Sequence, residues 1–144
     1  MTMMCSARTT TVQLPCRLGL TAGPAAATHA RRHVRALLGA WDVPVDSYTA
    51  ALLTSELVTN AVKHATEPGD VVHLVVSWDG GRLRVEVHDR SRRPPVLLDA
   101  PPDAEAGRGL MLLAQLAADW GYRWTVSGKA VYFILAPAEE SDHA

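Results

Sequence analysis

Several things are scarce in this sequence. Its 144 residues include two cysteines, one phenylalanine and only 6% aromatic side chains. Two cysteines, Cys5 and Cys16, without a repeated spacing make neither a disulfide framework nor a zinc site, so a reducing compartment is expected. No apolar run approaches the ~20 residues that span a bilayer. The polar start, Met1 to Thr11, lacks the apolar centre of a secretory signal. The expected setting is the cytoplasm, without membrane contact. An excess of one charge is also missing: Lys plus Arg is 14, Asp plus Glu is 15, and the formal net charge is -1. That balance excludes a general nucleic-acid binder, which needs a strong basic field to displace counterions. It leaves room for a local basic patch.

What is present is ordinary for one soluble domain: 48% hydrophobic and 20% charged residues. A chain of this length can bury one core without staples. The expected organisation is a flexible tail over residues 1–11, a domain over 12–137 and a polar tail over 138–144. Val12, Leu14, Cys16, Leu18 and Leu20 alternate as in a strand, and Pro15 restricts that strand to an edge or a bulge. Pro24 opens a helix reaching Trp41, with Ala30, Val34, Leu37, Leu38 and Trp41 at helical spacing. Asp46 or Ser47 caps a second helix that runs to about Ala65.

Two β-branched runs, Val71–Trp78 and Leu83–Asp89, flank Asp79-Gly80-Gly81, a hairpin signal. Arg90 to Ala106 holds four prolines and reads as a long loop, a feature that in compact domains is usually functional. Gly107 to Asp119 reads as a helix with Leu110, Leu113, Leu116 and Ala117 inward. Trp120–Val126 and Ala130–Ala136 form a second hairpin around Ser127-Gly128-Lys129. Hairpin-joined strands separate this order from an alternating doubly wound sheet. The expected class is α+β: a two-layer sandwich with helices on one face of a mixed, mainly antiparallel sheet.

Three segments could bear chemistry. At ~100° per residue, Glu56, Asn60, Lys63 and His64 of the second helix share one face. Leu57, Ala61 and Ala65, with Val58 and Val62, are expected to form the opposite apolar stripe. An amide oxygen suits Mg²⁺, which takes oxygen ligands and bridges substrate phosphates; a nearby Glu can accept a proton from an attacking hydroxyl. A merely solvated polar face would read the same. Asp89, closing a strand, can accept from an exocyclic amine, although an Asp opening a turn is common. Gly107-Arg108-Gly109-Leu110 precedes a helix whose first N–H groups would face an anion. Arg108 can add a charge-assisted contact. The Walker lysine spacing is absent.

The order of these three resembles the Bergerat-fold nucleotide-binding family of gyrase, heat-shock protein 90, histidine kinases and mismatch-repair ATPases. The likeness covers roughly residues 12–136. It implies ATP and Mg²⁺ as cofactors, Asn60 as magnesium ligand and Glu56 as catalytic base. It implies Lys63 and His64 beside the nucleotide, Asp89 on the adenine amine, and Gly107, Arg108, Gly109 and Leu110 beside the phosphates. Arg90 to Ala106 would be the lid. Within the family, Ser55-Glu56-Leu57-Val58-Thr59-Asn60-Ala61-Val62-Lys63-His64-Ala65 is most like the small anti-sigma-factor serine kinases of bacteria. That implies a serine/threonine kinase acting on an anti-sigma-factor antagonist, an RNA polymerase sigma factor as second partner, and a homodimer. A catalytically silent, ATP-dependent binding module is the alternative. No phosphoacceptor helix pair or transducer domain is expected, since the first 20 residues and the eight after Ala136 are too short for them. Two positions depart from the family: Ser91 stands where Gly is frequent, and Ala130 where relatives often carry Thr. His29 and His33, at i,i+4 on the first helix, could chelate a metal but lack an evident third ligand. Arg31, Arg32 and Arg35 could meet an acidic partner or be a solvated face. Trp120, Trp124, Tyr132 and Phe133 read as core or sheet-face residues.

Overall fold

The computed structural model describes residues 12–95 and 113–138. Five strands and two long helices occupy them: β1 Val12–Thr21, α1 Ala26–Trp41, α2 Ser47–His64, β2 Val71–Asp79, β3 Arg82–Asp89, β4 Asp119–Trp124 and β5 Lys129–Leu135. The strands form one sheet in the order β1-β2-β3-β5-β4, and every pairing is antiparallel. This is the two-layer α+β sandwich read from the sequence, except that the expected mixed sheet is antiparallel throughout its described strands.

Local chemistry accounts for most element ends. Pro15 cannot donate to a ladder, and the β1–β2 register slips between Gln13 and Cys16, on an edge strand. α1 ends at Asp42, in the left-handed region (φ 53°), whose N–H donates to the Leu38 carbonyl at 3.0 Å. Asp46 caps α2. Its Oδ1 accepts from the Tyr48 N–H at 3.3 Å and its Oδ2 from the Thr49 hydroxyl at 2.5 Å. Gly80 and Gly81, both at positive φ, turn the β2–β3 hairpin.

Burial follows the periodicities. Leu74, Val76, Val85, Val87 and Phe133 of the sheet meet Val34 and Leu37 of α1 and Leu53, Leu57 and Val58 of α2 in one core. Each such side chain contributes about 1.5–3 kcal/mol when removed from water. Cys16 is fully buried. Its Sγ lies 3.8 Å from Nε2 of His33. Burial holds the His33 imidazole below its usual 6.5, whereas His29 is exposed. The two histidines border one groove with different burial, and no group of three metal-ligating side chains occurs among the described residues. No helix there is long and apolar enough to cross a membrane.

Two expectations are corrected. The helix before β4 is helical at 113–116 and has ended before Asp119. The Ala118 N–H already donates to Ile134 of β5 at 2.8 Å, so the ladder has captured the backbone and Asp119 opens β4. Leu113 is fully buried as expected, but Leu116 is 45% exposed. Trp124 lies on a sheet face, as expected, with Phe133 and Val131, and is 48% exposed because β4 is an edge strand. It packs edge-on to Tyr122, the ring centres 5.5 Å apart.

The opposite sheet face is polar. Glu86, 8% exposed, lies 2.7 Å from His88 Nε2, 2.7 Å from Arg84 and 3.3 Å from Arg123. These contacts, the imidazole first, hold its carboxyl down at about 2 against the opposing pull of burial. Arg84 also lies over the Tyr132 ring, 4.2 Å from its centre.

Candidate nucleotide-binding cleft

In β3 the side chains of Leu83, Val85, Val87 and Asp89 point toward the helices, since alternate residues share a face. The last of this row is a carboxylate, 4% exposed, where the sheet meets the C-terminal half of α2. Leu57, Asn60, Ala61, His64 and Ala65 of α2 wall one side of the cleft there. Val87, Asp89, Lys129 and Val131 form the sheet side, and Pro94 and Pro95 close it. Asn60 and His64 thus lie on the same face as Leu57 and Ala61. The sequence reading placed the apolar stripe opposite them, but positions 57, 60, 61 and 64 follow i, i+3, i+4, i+7 and form one helix face. The polar pair sits at the seam, where it can meet Asp89.

The two oxygens of Asp89 are treated differently. Oδ1 accepts the Ser91 N–H at 2.8 Å, a local turn bond, and the Lys129 ammonium at 3.0 Å. Oδ2 is buried and has no hydrogen-bond partner. A buried acceptor left unmatched costs about 1–3 kcal/mol, more when charged, and each such group calls for an explanation. Lys129 faces Asp89 directly across the β3–β5 ladder and is 2% exposed.

Just before Lys129, Gly128 lets the turn press against the end of β3. A Cβ there would collide with the Asp89 carbonyl oxygen and lie 2.6 Å from the Arg90 Cα. Arg92 ties the following segment to the same turn by donating to the Thr125 carbonyl at 3.2 Å and the Val126 carbonyl at 2.6 Å. Ser91 adds a bond from the Arg93 N–H to its hydroxyl at 3.1 Å. Ser91, read as a departure from the family, is therefore the residue whose amide orients Asp89.

Of the residues singled out beforehand, Asn60, His64, Asp89 and Ser91 come together. Glu56 is half-buried one turn earlier on α2, and Lys63 is exposed; neither is among the described residues lining the cleft. Gly107, Arg108, Gly109 and Leu110, and the loop from residue 96 to 106, lie outside the described residues. Ala130, considered as the site of a missing hydroxyl, pairs with His88 on the other sheet face. The β5 residue that faces Asp89 is Lys129. Sequence reasoning placed Lys129 only in a turn. The available signal was that Lys129 begins the apolar alternation of Val131, Phe133 and Leu135, but its partner follows only from the register.

The donor set fits an adenine nucleotide: a buried acceptor for an amine, an amide oxygen and an imidazole on one helix face. The free space between these groups is about 10 Å³, on the scale of a single water. A wider groove of about 490 Å³ between the start of α2 and the end of β5 is mainly apolar, and its polar members Asp46 and Thr49 already bond each other.

Comparison with known proteins bears on the fold and the family. No curated protein matches the chain. Among solved structures, the RsbU and RsbW domains of Rv1364c from Mycobacterium tuberculosis have a similar fold, with a TM-score of 0.63 and 21% identity. The match covers 85% of this chain and 32% of that one, so this chain spans about a third of its neighbour's length. Residues 20–135 match the histidine kinase-like ATPase domain. By that match, which takes in both α2 and the end of β3, the chain belongs to the histidine kinase-like ATPase family.

Proposed function

We propose that the chain is an anti-sigma-factor-type regulator that binds ATP with Mg²⁺ and phosphorylates a serine or threonine of an antagonist protein. The observation that carries this reading is the meeting of Asn60 with Asp89, whose Oδ2 is buried and unpartnered. Asp89 would accept the adenine amine through Oδ2. Asn60 would supply an oxygen to Mg²⁺, which keeps most of its water and bridges phosphates. Lys63 would contribute positive charge near the phosphates, and Glu56 would orient or deprotonate the acceptor hydroxyl. Gly107, Arg108, Gly109 and Leu110 would border the phosphates. Bound ATP supplies the phosphoryl group; the protein's part in such transfers is mainly positioning and charge neutralisation.

The likeness of Ser55–Ala65 to the anti-sigma-factor serine kinases supports this choice of partner, as does the shared fold with a structure that includes an RsbW domain. On this reading the chain also sequesters a sigma factor, works in the cytoplasm and forms a homodimer. A second reading, a nucleotide-dependent binding module without catalysis, draws support from the absence of Glu56 among the described cleft-lining residues. Incubation of the purified protein with γ-labelled ATP and candidate antagonists separates the two. Label on an antagonist serine with the parent protein, and none with Glu56→Ala that still binds ATP, supports the kinase. Undiminished transfer by Glu56→Ala removes that residue from catalysis. Binding without any transfer supports the module.

A further inference from the structure

We propose that Lys129 is a positioning residue for base selection: it fixes the Asp89 carboxylate so that a single acceptor oxygen faces the cleft. This makes the cleft choose a purine bearing an amine rather than a carbonyl at its six-position. The inference rests on the nucleotide-binding reading above and adds a residue to it.

A carboxylate torsion is soft and nearly two-fold, so an Asp at a strand end does not by itself offer one defined oxygen. Here two donors converge on Oδ1. The Ser91 N–H comes from the same strand end at 2.8 Å, and the Lys129 ammonium from the neighbouring strand at 3.0 Å. Both charged side chains are nearly sealed from water, at 3% and 1% exposure for Lys129 and Asp89. The lysine is not free to wander: it sits opposite Asp89 in the ladder, behind Gly128, whose missing side chain allows the close approach of the two strands. Oδ2 is left as the buried, unmatched acceptor. A carboxylate oxygen is an acceptor. A six-amino purine offers the complementary N–H. A six-oxo purine presents an acceptor at that atom and carries its donor one ring position away, at N1–H, so an oxygen fixed opposite the six-position would face a second lone-pair group out of water.

Lys129 therefore acts through Asp89: removing it should weaken discrimination between bases, and it should also lower stability because it leaves a buried carboxylate unpaired. The test is calorimetric titration of the whole chain with ADP and with IDP, which differ at the six-position. Four proteins are compared: the parent, Lys129→Met, Asp89→Asn, and the double variant. The parent is expected to prefer ADP by ~10–100-fold, the range set by one unmatched buried polar group. In Lys129→Met the preference should shrink by about tenfold, with the circular dichroism of the parent retained. In the Asp89→Asn background, adding Lys129→Met should leave the ADP-to-IDP ratio unchanged.

An unaltered ratio in Lys129→Met, or tighter ADP binding by it, overturns the proposal; the second result would make Lys129 an obstruction. Should Lys129→Met fail to fold, the double variant, which leaves no lone buried charge, is compared with Asp89→Asn alone. A different ratio between those two also overturns it. A parent protein that binds neither nucleotide defeats the nucleotide-binding reading itself, a result distinct from a parent that binds both without preference, which defeats this proposal alone.

Discussion

Asn60, near the end of α2, and Asp89, at the end of β3, line the same cleft. One supplies an amide and the other a buried carboxylate oxygen without a partner. If Asn60 holds Mg²⁺, then Asn60→Ala should weaken Mg²⁺-dependent ADP binding about tenfold, the scale of one lost polar contact. Binding measured in EDTA should change little. Titrations with and without Mg²⁺ check this, and an equal loss in both would point to a packing role instead.

Gly128→Ala should be among the most damaging single-methyl changes in the chain. The added carbon collides with the backbone of Asp89 and Arg90. Forcing atoms into a packed site costs about 1–3 kcal/mol. The melting temperature should fall, and nucleotide affinity should fall with it because Asp89 moves. Gly39→Ala is the matched control, since a carbon there meets nothing within 4 Å.

Acid stability should depend on Glu86. Its carboxyl titrates at about 2 in the folded chain against 4.5 ordinarily. A depressed folded value means that the ionised form favours folding. The stabilisation is therefore complete above pH 4.5 and is lost as the pH falls toward 2. Its upper bound is about 3 kcal/mol, reduced by solvent because Arg123 is 51% exposed. Urea midpoints measured across that window should fall steeply for the parent and less steeply for Glu86→Gln. Parallel curves would remove Glu86 as the cause.

Asp46→Ala should cost about 1 kcal/mol, the usual loss for an N-cap, because both carboxylate oxygens are engaged at the start of α2. Phe133→Ala, in the middle of the core at 0% exposure, should cost about 3–5 kcal/mol. Denaturant titrations of the two variants should differ accordingly. Similar losses would mean that the capped start of α2 matters to stability as much as the centre of the core.

The local elements were legible in the sequence because each follows from nearest neighbours. Pro15 marked the edge strand with its register slip, and Gly80-Gly81 marked the hairpin. Asp46 marked the helix start, and the alternation in β3 brought Asp89 to the helical side. Asn60 was legible as a polar residue at a helical seam, although its apolar neighbours were assigned to the wrong face.

What no local pattern contains is the order β3-β5-β4 and the register that sets Lys129 against Asp89. Strand pairing is chosen by the whole core, and shifting it by one residue would turn Lys129 to the other face. The amino-acid order by itself determined which segments are helix and strand and which residues could bear chemistry. The tertiary structure alone decided that a lysine from the first position of β5 neutralises one oxygen of Asp89 and leaves the other buried without a partner, because only packing brings charges so far apart in the chain together away from water.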